Sequence, residues 1–252
     1  QSTVSVGGAA TFASTVTVVD NAVFTADIVK KTAGTSNFAA GVNAGDSIES
    51  GGNYNVAVGD EAGTALTTGD NNTFVGYAAG DAQTTASNNV AVGQNALGAN
   101  TTGTNNVAIG AGALATCTTD GNHLIGIGYQ ALAAAADSQF CVAIGKDAGL
   151  SITSGDSNVL IGYHAGDAVT TGASNVIIGT AAGGAQTTAS ENVIIGNNAA
   201  NALTTGGQSI YIGDNAAASG TITGIRNVVV GDNALYSVVG AGGNIAIGYA
   251  SG

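Results

Sequence analysis

A glycine returns at an almost fixed interval through most of this chain. It stands at Gly41, Gly59, Gly76, Gly93, Gly110, Gly128, Gly145, Gly162, Gly179, Gly196, Gly213, Gly231 and Gly248. The intervals are 17 residues, except for three of 18. A period of this length held over thirteen copies means that one small unit stacks on the next, since a single unit cannot bury its own apolar face. The residue before the glycine is Ala40 and thereafter always Val or Ile. Three before it is Val or Ile again, apart from Phe38 and Thr73. These two columns have the same parity, so they share one face of a strand, and that face is expected to be the core. The residue between them varies from Gly126 to Phe74 and Tyr211 and is expected to point away. Because Phe74, Leu160, Ile177, Ile194, Tyr211 and Val229 are apolar, that outer surface predicts an oligomer.

The other columns have physical meanings of their own. Three after the glycine is Ala in twelve copies and Ser251 in the last, as a tight corner requires. The glycine itself is expected at positive φ. Four before the glycine is Asn in ten copies, with Leu124, Cys141 and Ser209 as exceptions. Asn tolerates left-handed backbone and bonds locally or to its copy one coil away. Thr pairs such as Thr67-Thr68, Thr84-Thr85 and Thr170-Thr171 fall eight and nine residues after the glycine. A strand, a turn, a short second strand and a turn fill 17 residues. The expected fold is therefore all-β, a parallel β-solenoid (left-handed β-roll) of 13 coils over residues 37–252. The pattern is most complete at Asn55, Gly59 and Ala62; at Asn89, Gly93 and Ala96; and at Asn106, Gly110 and Ala113. It is as complete at Asn158, Gly162 and Ala165; at Asn175, Gly179 and Ala182; and at Asn227, Gly231 and Ala234. All eighteen are read as structural positions.

Residues 1–36 form a separate segment. Val4, Val6, Ala10 and Phe12 are followed twelve residues later by Val16, Val18, Ala22 and Phe24, a short β repeat, and Lys30 to Ser36 reads as a linker. The chain begins with Gln1, as a processed product or fragment would, and the last coil, Asn244 to Gly252, lacks a visible cap.

Composition narrows the function classes. Of 252 residues 41 are Gly, none is Pro, Met or Trp, and 8% are charged. No apolar run approaches the roughly 18 residues of a spanning helix, so no membrane insertion is expected. A net charge of −12, with Lys30, Lys31, Lys146 and Arg226 the whole basic complement, argues against nucleic acid and anionic lipid. No EF-hand or glycine-rich calcium repeat is present. Two cysteines, Cys117 and Cys141, make no disulfide scaffold and are read as free thiols.

The catalytic motifs are equally thin. Gly126-Ile127-Gly128-Tyr129-Gln130-Ala131 imitates a dinucleotide turn, but its last glycine and alanine belong to the repeat. His164 is expected in an exposed turn. His123 lies beside an 18-residue interval, where Asn122 is displaced from its ladder by a local bulge. A glycan hydrolase needs two carboxylates roughly 5–10 Å apart. Asp60, Glu61, Asp70, Asp81, Asp147, Asp156 and Asp167 would stack into such pairs by repetition alone. Thr ladders raise an ice-binding solenoid as a distant alternative, although adjacent Thr-Thr points to opposite faces. No catalytic residue, cofactor or metal site is assigned.

The Asn-Val-Ala-Ile-Gly motif followed by Ala, at 106–113 and 244–251, resembles the heads of trimeric autotransporter adhesins of the YadA type. The coil here is longer than that family's usual one, and neither a heptad stalk nor a membrane barrel segment is seen. The Ala-Leu, Thr-Thr-Gly and Gly-Tyr elements, as at Gly76-Tyr77 and 202–206, are more similar to repeats of bacteriophage tail fibres. Both resemblances imply homotrimers that bind cell surfaces, without naming binding residues. The resulting expectation is a virion tail fibre: a structural, non-enzymatic, trimeric rod. Its partners would be other tail or fibre proteins at its ends and a host cell-surface receptor, a glycan or outer-membrane component. The alternatives are an adhesin head on a bacterial surface and, more distantly, a glycan-degrading tailspike.

Overall fold

A computed structural model describes residues 33–118, 121–219, 222–236, 240 and 242–252. The short β repeat expected over 4–28 lies outside the described residues. Thirteen three-residue strands pair in parallel, each with the next, in one sheet whose strand order is the chain order. They are β1 Phe38–Ala40, β2 Val56–Val58, β3 Thr73–Val75, β4 Val90–Val92, β5 Val107–Ile109, β6 Ile125–Ile127 and β7 Val142–Ile144. The series continues with β8 Val159–Ile161, β9 Val176–Ile178, β10 Val193–Ile195, β11 Ile210–Ile212, β12 Val228–Val230 and β13 Ile245–Ile247. The fold is the expected parallel β-solenoid. At about 4.8 Å between strands, its twelve spacings make a stack roughly 58 Å tall.

Two expectations about the coil are corrected. No second strand forms among the described residues; the return segment is a series of turns with isolated bridges at Asn122↔Gln139 and Leu203↔Ile222. It is nevertheless tied coil to coil, for example by Thr67 N–H donating to Thr84 O at 2.8 Å. The first coil also begins earlier than the linker reading placed it, since Thr35 N–H donates to Asn53 Oδ1 at 2.9 Å and Tyr54 N–H to Thr35 O at 3.0 Å.

The larger correction concerns which face is the core. The variable middle column points inward: Phe74, Leu160, Ile177, Ile194, Tyr211 and Val229 are all fully buried. The uniform Val/Ile columns point outward, as at Ile109, 39% exposed, and Val75, 36% exposed. The two columns do share a face, as their parity requires, but their uniformity marks the surface and not the core. The interior tolerates variety because a second column compensates for it. Four residues after the glycine, Leu97, Leu114 and Leu132 are buried where the middle residue of the next coil is small: Ala108, Gly126 and Ala143. Where the middle residue of the next coil is large, as at Phe74, Leu160, Ile177, Ile194, Tyr211 and Val229, this column is Gly or Ala. A Cβ on Gly63 would come within 2.7 Å of the Phe74 ring, and one on Gly149 within 2.5 Å of Leu160 Cδ1. Either column thus supplies the large side chain at this part of the interior, beside a third buried column that includes Leu66, Ile152 and Leu203, at the close packing protein cores require.

The remaining columns behave as expected. The twelve alanines after the glycine are fully buried. The repeat glycine lies at φ +120 to +139 in all thirteen copies. At Gly196 a Cβ would stand 2.2 Å from the carbonyl oxygen of Gly213 in the next coil, so conformation and proximity both demand glycine. The left-handed turn before the strand falls one residue ahead of the Asn, on residues as different as Tyr54 (φ 58), Phe140 (φ 57) and Glu191 (φ 61). These are sites where a side chain is strained.

Candidate functional site

The Asn column forms a buried amide ladder. Asn175 N–H donates to Asn158 Oδ1 at 3.0 Å, while Asn175 Nδ2 donates to the same oxygen at 3.0 Å and to Ala189 O at 2.9 Å. Asn192 N–H continues the chain to Asn175 Oδ1 at 3.1 Å. The ladder reaches Leu124, whose N–H donates to Asn106 Oδ1 at 2.9 Å, and Leu124 offers no side-chain acceptor to the next coil. Cys141 partly mimics the missing amide, with its Sγ donating to Gly155 O at 3.2 Å and accepting from Asn158 N–H at 3.4 Å. Cys141 and Cys117 are both free and buried. Burial pushes the Cys117 thiol up to about 12 and raises Cys141 as well. These groups hold coils together and are sealed from solvent, so they carry no external chemistry.

A second polar ladder, which sequence reasoning missed, runs six residues before the glycine. Asp70 Oδ1 accepts Asn53 N–H at 2.7 Å, Ser87 Oγ accepts Asp70 N–H at 2.9 Å, and Asp156 Oδ1 accepts Gln139 N–H at 2.8 Å. The signal was a run of short polar residues of mixed type, hidden because no single residue repeats. Asn122 belongs to it: its Oδ1 accepts Thr104 N–H at 2.7 Å. Asn122 thus keeps a place in a ladder, the extra residue of its 18-residue interval lies outside the described residues, and His123 lies one coil from Phe140 with the rings stacked at 5.1 Å. The Thr pairs divide. The first hydroxyl is used between coils, as in Thr67 Oγ1 donating to Thr84 O at 3.0 Å, and only the second, such as Thr68, is exposed. One outward column falls short of a flat double array.

Three surface features are left to meet other molecules. The first is the outward Val/Ile face, continuous over all thirteen strands and edged by exposed Tyr54 and Phe140 on one side and Tyr77, Tyr129 and Tyr163 on the other. Its extent, roughly 58 Å by about 12 Å, is on the order of 700 Å². That exceeds the roughly 300–600 Å² of the largest apolar patch on a typical monomer.

The second is a charged cluster over three successive coils. Lys146 Nζ lies 3.2 Å from Asp147 Oδ2, 5.3 Å from the Tyr163 ring centroid and 6.0 Å from that of Tyr129. Hydrogen bonding and charge from Asp147 hold the Lys146 ammonium above its ordinary value. His164 is not the exposed turn residue expected: Nδ1 lies 2.7 Å from Asp167 Oδ2 and Nε2 3.4 Å from Asp147 Oδ2. The imidazole thus stands between two of the seven carboxylates named above. Glu61 and Asp81 hold the same two columns, one coil apart, as Asp147 and Asp167, and Asp70 and Asp156 share a third. Burial raises the Asp81 carboxyl above its ordinary value, with the Glu61 charge adding to the rise.

The third feature is a set of shallow hollows. One of about 200 Å³ is lined by Gln94, Asn95, Ala111, Gly112, Tyr129 and Gln130. One of about 340 Å³ lies at Thr188, Glu191, Gln208 and Ile225, and one of about 520 Å³ at Asn215, Asn233 and Tyr236. Among the described residues no group of three or more His, Cys, Asp or Glu is placed to hold a metal ion. No helix there is long and apolar enough to cross a membrane. The Gly126 motif is a strand interior seated over Leu114, with no helix after it.

Compared with protein-family models, with curated proteins and with solved structures, the chain matches none.

Proposed function

We propose that this chain is the rod of a homotrimeric surface-attachment fibre of the bacteriophage tail-fibre kind, and that its work is mechanical rather than catalytic. The observation that carries the reading is the outward Val/Ile face. From β2 onward it is Val or Ile at every outward position except Thr73. An apolar strip on the order of 700 Å² approaches the roughly 800 Å² per partner of a standard specific interface. Left in water, it would invite aggregation. Three such strips packed around a common axis parallel to the stack would bury both columns of every coil and keep the coils of the three chains level. The sequence resemblance supplies the number three, and the face supplies the surface. A stiff rod then holds adhesive sites away from its base, and three copies supply avidity.

The assembly is tested by light scattering. Three chains of 24.0 kDa give 72 kDa, and Ile144→Asp with Ile178→Asp, both on the outward face, should reduce that to the single-chain mass with the fold retained. A wild-type chain that stays at 24.0 kDa at micromolar concentration defeats the trimer. Attachment is tested separately by binding of labelled protein to bacterial cells. A purified chain that released oligosaccharides from envelope material would overturn the non-catalytic reading.

A further inference from the structure

We infer that the hollow beside Tyr129 is a binding site for one neutral pyranose ring, the terminal sugar of a cell-surface glycan. This deepens the attachment reading and rests on it. The site arises from a local break in the repeat. The two residues after the glycine are bulky in the flanking coils, Gln94-Asn95 on one side and Tyr129-Gln130 on the other. In the coil between they are Ala111-Gly112. Removing two side chains from one layer opens a notch about two coil spacings high, near 10 Å. Its floor is short side chain and backbone, and its volume is about 200 Å³. That is below the roughly 300–1,000 Å³ of a site for a drug-sized ligand, and it suits a single ring.

The lining matches a neutral sugar. Gln94, Asn95 and Gln130 present three primary amides, each with one acceptor and two donor hydrogens, and none of these side chains is hydrogen-bonded within the described protein. Paired donors and acceptors of this kind suit vicinal hydroxyls. Tyr129 adds a half-exposed aromatic face, on which the axial C–H groups of a pyranose stack. Lys146, one coil further along, lies 6.0 Å from its ring centroid and is itself tied to Asp147 at 3.2 Å. Gln130 is steadied too: a Cβ on Gly112 would come within 3.3 Å of its Cγ, so Gly112 leaves space that Gln130 partly covers. None of the six lining residues is charged, and the chain carries a net charge of −12, which selects against acidic sugars.

The test uses the full chain and free glucose, galactose, mannose and N-acetylglucosamine, read by saturation-transfer NMR and titration. Ala111→Tyr fills the notch, and the fold accepts it because Tyr129 and Tyr163 occupy the same column. Binding of at least one of these sugars is expected to weaken about tenfold or more in Ala111→Tyr and in Tyr129→Ala, and to stay within about twofold in Tyr54→Ala on the opposite edge. No binding of any of the four sugars, or binding indifferent to Ala111→Tyr, overturns the site. Cell attachment measured in parallel separates the two readings: attachment that survives a filled notch refutes this site alone, whereas a wild-type chain that neither binds sugar nor attaches refutes the attachment reading as well.

Discussion

The two sides of each strand obey opposite rules. The inward residue ranges from Gly126 to Tyr211 yet is buried in every coil, whereas the outward pair hardly changes and stays half exposed. An interior shared by two columns only has to conserve their combined volume, so Leu114 under Gly126 and Gly149 beside Leu160 are equivalent solutions. An outward face has no such partner within the chain. Its flatness depends on every layer ending at the same height, and a single size of β-branched residue achieves that. Variation therefore marks the core here, and constancy marks the surface.

Several substitutions would sharpen or break that contrast. The largest effect belongs to neither face. Gly196→Val must place a Cβ 2.2 Å from the Gly213 oxygen at φ +139, and should cost about 4 kcal/mol in a denaturant titration. On the inward side, Leu160→Ala should cost about 3 kcal/mol. Adding Gly149→Leu, which copies Leu132 one coil earlier, should recover about half of that. Strict additivity of the two changes would refute the shared-volume account. Asn175→Ala removes both donors and the acceptor of one rung, for an expected loss of about 2 kcal/mol. On the outward side, Ile161→Thr should change the stability of the isolated chain by less than about 1 kcal/mol while weakening the assembly. A larger loss in the isolated chain would mean that the outward column is core after all.

A further contrast is a pH dependence. Cys117 is held protonated in the folded chain, at about 12. Its contribution is therefore complete below the unfolded thiol value near pH 9 and declines as pH rises from there toward about 12, with Cys141 adding in the same direction. The stability gap between wild type and Cys117→Ala should narrow between pH 8 and pH 10.5.

The period, the parallel stacking, the turn glycine, the buried alanine and the Asn ladder were all legible in the sequence, because each is a single residue type recurring at one place. The inside and outside of the strand were not. Parity groups Val56 with Val58 but cannot say which side that group faces. The deciding fact is the glycine–leucine exchange four residues after the turn, which is visible only when two columns are read together. The ladder through Asp70, Ser87 and Asn122 escaped for a related reason, since what recurs there is an acceptor atom rather than a residue. The notch at Ala111-Gly112 is legible only as an absence of bulk between two crowded layers.

The interrupted amide ladder has a consequence for a rod under tension. Each coil holds about 17 residues, which extend to roughly 58 Å when pulled straight, but it adds only about 4.8 Å of height while folded. Force applied to the two ends should therefore lengthen the molecule in regular jumps, one coil at a time. The layers at Leu124 and Cys141, where an amide rung is missing or replaced by sulfur, are the places for the first jump. A solenoid that yields there can absorb a sudden load while its remaining coils stay folded.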